Sequence, residues 1–178
     1  MTPDSPILLT PRLELRGFSL DDAALMLAVW NTPEFIRFVG DRGIRSEADA
    51  HDALLKGPIA TWQEFGYGPF RVGLKDSGIG VGICGLFRRP GLDAPDLGVA
   101  LLPEFYRQGY GVEAAQAVLD YCDDELALPR TAAIVAPDNA ASCALLSRLG
   151  FERDEDIEID GEPVGLFFRD RTKVPAVN

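Results

Sequence analysis

Apolar and polar positions divide this chain into short alternating runs and longer runs with helical spacing. Residues 7–16 alternate, Leu13 and Leu15 against Arg12, Glu14 and Arg16, which predicts a half-buried strand. Ser19 followed by Asp21 and Asp22 reads as a helix start, and Leu20, Ala24, Leu27 and Ala28 predict its apolar face as far as about Asn31, where Thr32-Pro33 ends it. Residues 35–44 show no period and are expected to be irregular. A second helical segment starts at Ser46, breaks near Gly57-Pro58 and resumes to about Phe65. Residues 70–75 and 80–88 read as strands joined at Asp76-Ser77-Gly78, and residues 95–102 as another.

Val112, Ala115, Val118, Leu119 and Cys122 then fall on one face of a helix running to about Leu126. It ends in Asp120, Asp123, Asp124 and Glu125, the wrong sign for a helix C-terminus, which calls for a partner elsewhere. Residues 131–136 are a short strand. Pro137-Asp138-Asn139 opens a helix with Ser142, Leu145, Leu146 and Leu149 on one face, and Gly150 stops it. Extended chain resumes at Phe151. Residues 157–168 read as a hairpin with Asp160-Gly161 at its turn, and Pro163 marks an edge. The order is β-α-α-β-β-β-α-β-α-β-β. The middle strand–helix–strand unit implies one parallel pair in a mixed, otherwise antiparallel α/β sheet. One domain over residues 1–171, with a loose tail at 172–178, is the expected organisation.

Composition narrows the function. The chain has 178 residues, 47% apolar and 25% charged, with a net charge of −11. Binding to nucleic acid or anionic lipid relies on clustered Lys and Arg, so neither is expected, whereas cationic amines would be attracted. MTPDSP lacks the basic and apolar segments of a secretory leader, and no apolar run approaches the ~20 residues of a membrane span; a cytoplasmic protein is expected. Cys84, Cys122 and Cys143 form no CxxC pair and read as core side chains. His51 alone, in a helix rich in Ala and Asp, supports no triad and no metal site.

The stretch from Leu101 to Ala114 carries the chemistry. An apolar strand passes through Tyr106-Arg107-Gln108-Gly109-Tyr110-Gly111 into a helix. A helix start offers unpartnered N–H groups and a positive dipole end, glycine permits close approach, and Arg107 adds charge: a phosphate-binding device. Gly80-Val81-Gly82-Ile83-Cys84-Gly85 also matches GxGxxG, but no helix begins there, and it reads as a glycine-rich strand. Gly109, Gly111 and Ala114 fit the dinucleotide fingerprint too, yet residues 129–136 lack the acidic residue that should follow, which disfavours a nicotinamide enzyme.

Order and motifs together resemble the GNAT superfamily of acyl-CoA-dependent N-acetyltransferases. Tyr106 through Gly111 is similar to the family's acyl-CoA motif, with Tyr106 where Gln or Arg is usual. Asn139-Ala140-Ala141-Ser142 through Leu149-Gly150-Phe151 resembles its N-x-x-[SA]…L-G-F helix. Thr10-Pro11-Arg12-Leu13-Glu14-Leu15-Arg16 is similar to the start of the branch containing ribosomal-protein N-terminal acetyltransferases. Many members carry a tyrosine acid on the last helix, where this chain has Leu146.

The resemblance implies an acetyl-CoA co-substrate in a gap between residues 95–102 and 131–136. Its pyrophosphate would lie on the amides of Arg107, Gln108, Gly109, Tyr110, Gly111 and Val112. Its peptide-like arm would pair with Val99, Leu101 and Leu102, and with Asn139 from the other side. The N–H of Leu101 or Leu102 would polarise the thioester, and Ser142 would serve the leaving sulfur. Glu104 and Asp96 read as solvated carboxylates rather than a base. The acceptor is an amine: a peptide α-amine, a polyamine and an aminoglycoside-like amine all stay open, with selectivity in residues 35–44, 62–67 and the terminal hairpin. A non-catalytic acyl-CoA binder is the competing reading, and a homodimer is left open.

Overall fold

The computed structural model describes residues 7–159 and 161–171; the expectations for residues 1–6, Asp160 and residues 172–178 lie outside them. The described strands form one sheet. They are β1 (Leu8–Leu9), β2 (Leu13–Arg16), β3 (Pro69–Leu74), β4 (Gly80–Phe87), β5 (Asp96–Leu101), β6 (Arg130–Val135), β7 (Glu152–Ile159) and β8 (Glu162–Asp170). Their order is β1-β2-β3-β4-β5-β6-β8-β7. Neighbours are antiparallel except β5 and β6, which run parallel on either side of a crossover helix, α5 (Tyr110–Asp124). The sheet is thus the expected mixed one.

Helices cover both faces. Ala115, Val118, Leu119 and Cys122 of α5 pack on Leu13, Leu15, Val72, Val81, Leu97 and Leu101. The opposite face receives α1 (Ala23–Trp30) and α3 (Glu47–Leu54), whose Met26, Val29, Trp30, Ala50 and Leu54 meet Phe18 and Ile83. Each Val, Leu, Ile, Phe or Met among them that is fully withdrawn from water contributes about 1.5–3 kcal/mol. In β5 the two-residue period sorts Leu97, Val99 and Leu101 to the α5 side and Ala100 to the other. The acidic end of α5 finds its partner in β8. Asp123 accepts from Arg169 at 3.1 and 2.8 Å, both side chains being about nine-tenths buried.

Several expectations need correction. Residues 7–16 are not one strand: the chain turns back at Thr10, whose hydroxyl accepts from the Leu13 N–H at 2.8 Å, and β1 pairs with β2. The buried face of α1 is Ala23, Met26, Val29 and Trp30, while Leu20, Ala24 and Ala28 are exposed. A short 3₁₀ turn at Leu20–Asp22 precedes α1 and resets the helical phase. Residues 35–44 are irregular only in part, because Pro33–Phe38 forms a short helix, α2. Thr32-Pro33 ends one helix and starts the next: Pro33 needs no amide partner at a first helical position, and the Thr32 hydroxyl accepts from the Phe35 N–H at 3.2 Å. Around Gly57-Pro58 the helix widens into a π turn at Leu55–Ile59 and continues as α4 (Ala60–Phe65). The second strand of the terminal hairpin is interior, and Pro163 sits where it pairs only with β7. The GxGxxG run is strand β4, as expected: a Cβ on Gly82 would lie 2.2 Å from the Ala100 carbonyl oxygen.

Candidate active site

The parallel pair barely exists. Asp96 opposite Ala132 is its single register position, and the Ala132 N–H donates to Pro95 at 2.8 Å. Beyond that point β5 and β6 diverge. Asp96 holds the fork. Its carboxylate accepts from the Ile134 N–H at 3.2 Å and from Arg89 Nε at 2.5 Å, and the residue is 1% exposed. This corrects the reading of Asp96 as solvated; Glu104 is exposed, as expected. Burial pushes the Asp96 carboxyl up from its ordinary pKa, with Arg89 and the Ile134 amide opposing it.

Divergence leaves one edge of β5 open. The Leu102 N–H donates to Val81 at 2.9 Å, so residues with its parity face β4. By the alternation of an antiparallel ladder, the N–H and C=O of Val99 and Leu101 point away from β4, into the gap. The expectation for Leu102 does not hold. Its N–H is committed to Val81 and its carbonyl accepts from the Phe105 N–H at 3.0 Å, because the chain turns there into a 3₁₀ turn at Pro103–Phe105.

Past that turn, Arg107 and Gly109 adopt left-handed φ angles of 60° and 82°. For Arg107 this conformation costs about 1–2 kcal/mol and turns successive N–H groups to one side. The first α5 bond is Glu113 N–H to Gly109 at 3.0 Å, and no side chain caps the helix. The amides of Arg107, Gln108, Gly109, Tyr110, Gly111 and Val112 donate to no acceptor among the described residues. Three other helices carry side-chain caps at their starts. Thr32 caps α2, Ser46 caps α3, and Asn139 caps α6 (Ala140–Arg148), accepting from the Ser142 N–H at 3.1 Å.

One carboxylate stands at this open helix start. Glu113 accepts from Thr10 Oγ1 at 2.6 Å, from the Arg12 N–H at 2.9 Å and from Arg12 Nε at 2.6 Å. Burial pushes its pKa up, but the Thr10 and Arg12 hydrogen bonds outweigh that and hold it below the usual carboxylate range. Arg12 also donates to the Gln108 carbonyl at 2.9 Å and lies 4.4 Å over the Tyr110 ring. The opening Thr-Pro-Arg motif therefore buckles the N-terminal hairpin to the loop. With Arg12 neutralising Glu113, the positive charge of Arg107 remains. Sequence reasoning noted the motif without its role; the available signal was an acidic residue in the first turn of the loop's own helix.

Gly111 joins loop, β5 and α6. A Cβ there would meet Leu145 at 3.3 Å and Leu101 and Val99 at 3.8 Å. Asn139 and Ser142 sit on the first turn of α6, half-buried, with the Asn139 amide nitrogen unused among the described residues. Leu146 is 4% exposed and part of the core. Tyr106 is half-buried. Burial raises its pKa, reinforced by nearby Glu34. Cys84 and Cys122 are core thiols, burial pushing Cys122 up to about 12. Cys143 is only half-buried, short of the core position expected of it.

An open sheet forked at one parallel pair, with an uncapped crossover helix at the fork, defines an acyltransferase-type α/β fold. Residues 12–152 match the Acetyltransferase (GNAT) domain family. YoaA, an uncharacterized N-acetyltransferase of Bacillus subtilis, is 30% identical over 152 residues, 84% of each chain. An acetyltransferase structure from Agrobacterium tumefaciens is 27% identical and superposes with a TM-score of 0.78 over 92% of this chain and 94% of that one. RimL, a ribosomal L7/L12 α-N-protein acetyltransferase solved in complex with coenzyme A, shares the fold at 19% identity, with a TM-score of 0.79 over 93% and 98% of the chains. The chain belongs to the GNAT family and is an N-acetyltransferase.

Proposed function

We propose that the enzyme transfers the acetyl group of acetyl-CoA to a primary amine by direct attack, with the donor lying along the open edge of β5. The observation that carries this is the single Asp96–Ala132 pair, which leaves the backbone of Val99 and Leu101 without a neighbouring strand. A pantetheine arm, amide-like and extended, takes the place of that strand. Six unpartnered amides from Arg107 to Val112, the α5 dipole and the Arg107 charge supply the pyrophosphate cradle. Asn139 donates to the arm from α6 with its free amide N–H.

The Leu101 N–H faces the thioester carbonyl and stabilises its oxygen as negative charge develops there. The amine lone pair forms the new C–N bond, the C–S bond breaks, and the amine proton leaves to solvent. A thiol of pKa about 8.5 leaves readily, so a hydrogen bond from the Ser142 hydroxyl to sulfur suffices. Among the described residues neither carboxylate near β5 is positioned as a base: Asp96 is locked in the fork and Glu104 is in solvent. That favours an acceptor already partly neutral, such as an α-amine of pKa about 7.7–8 over a lysine near 10.4. Peptide α-amines and small-molecule amines both meet this condition, and a cytoplasmic site of action fits the free thiols. Steady-state acetylation of an amine panel, followed by released thiol, tests the reading. Turnover with an α-amine supports it, and tight acetyl-CoA binding without turnover of any amine contradicts it.

A further inference from the structure

β5 and β6 are six residues each and mostly apolar, and neither contains a proline to stop a ladder. They nevertheless meet at the single register pair of Asp96 with Ala132. The bonding at that pair explains why they part. The Ala132 N–H donates to the Pro95 carbonyl at 2.8 Å, which sets the phase of the parallel ladder. In that phase the next N–H along β6, that of Ile134, would donate to the Leu97 carbonyl. It donates instead to Asp96 Oδ1 at 3.2 Å. The carboxylate thus takes the amide that would have carried the sheet one step further. Leu97 shares the parity of Val99 and Leu101, so the freed carbonyl lies at the root of the gap.

The carboxylate is held from behind. Arg89 Nε donates to its other oxygen, Oδ2, at 2.5 Å. Arg89 belongs to the connection between β4 and β5, so the hairpin that carries Asp96 also fixes it. The Asp96 side chain is only 2% exposed. Arg89 is 36% exposed and, with Phe65 of α4, lines a cleft of about 370 Å³ beside the N-terminal end of β5. An ion pair within one hairpin accounts for stability. It does not account for the second bond, which crosses to the neighbouring strand at the point where pairing ends.

We infer that Asp96 is a positioning residue, whose carboxylate wedges β6 away from β5 and keeps the gap open along Val99 and Leu101 for the acetyl donor. The effect passes through the Ile134 amide, and Asp96 touches no reacting atom. A groove already open spares the donor the cost of breaking a ladder to enter. The inference rests on the donor reading of β5, and its test is built to separate the two.

Acetyl-CoA is titrated by calorimetry into wild type, Asp96→Leu, Asp96→Asn and Arg89→Leu. Leucine has the branching and heavy-atom count of aspartate but accepts no hydrogen bond, so the Ile134 N–H is free to close on Leu97. Asparagine keeps an acceptor oxygen without the charge. In Arg89→Leu the buried carboxyl takes up a proton and still accepts from Ile134. All three variants lose the ion pair and should melt below wild type, so a merely structural role would weaken them alike. The wedge predicts a split: acetyl-CoA binding about tenfold weaker in Asp96→Leu, against a change of no more than about threefold in Asp96→Asn and Arg89→Leu. Turnover should follow, with the acetyl-CoA KM raised in Asp96→Leu while kcat and the acceptor KM hold. Amide hydrogen exchange in the free wild type needs no variant. It should find Ile134 protected while Val99 and Leu101 exchange freely. Wild-type affinity in Asp96→Leu, equal losses in all three variants, or a freely exchanging Ile134 would overturn the inference while leaving the donor reading intact. Absence of acetyl-CoA binding to the wild type would instead overturn the donor reading and, with it, this inference.

Discussion

The two ends of β5 are built from different materials. At its C-terminal end the loop presents backbone amides, left-handed turns at Arg107 and Gly109, and an uncapped helix. At its N-terminal end the cleft presents side chains: Phe65 from α4, and Arg88, Arg89, Leu92 and Asp93 from the connection between β4 and β5. A backbone cradle depends on chain geometry and tolerates exchange of most side chains. A side-chain cleft depends on each residue and can be retuned one position at a time. The difference teaches that donor binding should withstand the loss of a cleft side chain and fail when the backbone of the cradle is strained.

Gly109→Val should break the comparison most strongly. It forces a β-branched residue to a φ of 82° and sets a Cβ 3.2 Å from Arg12. Strain of about 1–3 kcal/mol at the cradle corresponds to a loss of acetyl-CoA affinity of about ten- to a hundredfold, read by calorimetry, with acceptor preference preserved. Glu113→Gln comes next. It frees the Arg12 charge and loosens the hairpin from the loop, and should raise the acetyl-CoA KM about tenfold at constant kcat.

The same variant carries a pH signature. The folded Glu113 carboxyl lies below its ordinary value of 4.5, so its stabilisation is in full above that pH and is lost as pH falls through the lower folded value. The melting-temperature gap between wild type and Glu113→Gln, present at neutral pH, should therefore close toward pH 3. Ser142→Ala should lower kcat only several-fold, because the thiolate leaves readily; an unchanged kcat would remove Ser142 from the chemistry. Smallest is Arg37→Ala. It deletes an exposed bridge at 2.5 Å between α2 and Asp138 in the connection from β6 to α6, and should shift stability by about 0–1 kcal/mol in denaturant titrations.

The open helix start of α5 was legible because its signal is local. Glycines spaced in one turn, a following helical face and the Asn139 helix lie within continuous stretches, and the amides from Arg107 to Val112 are where the motif puts them. The fork was not legible in detail. Nothing near Asp96 in the chain announces Arg89 and Ile134 as its partners, and a lone Asp ahead of a strand reads as solvated until both close on it. Leu102 was misjudged because alternation gives parity only once a hydrogen bond sets it, here the one to Val81. The phase of α1 was missed because a 3₁₀ turn precedes it, and α2 because six residues are too few to show a period. The cleft beside the N-terminal end of β5 was not legible, since Phe65 joins residues 88–93 there through tertiary packing alone.

The most direct test of this division is a set of three calorimetric titrations of acetyl-CoA, into wild type, Gly109→Val and Arg89→Leu. The account predicts micromolar binding to wild type, nearly the same to Arg89→Leu, and loss in Gly109→Val with its fold intact by circular dichroism. Undiminished binding to Gly109→Val, or equal loss in Arg89→Leu, would contradict it.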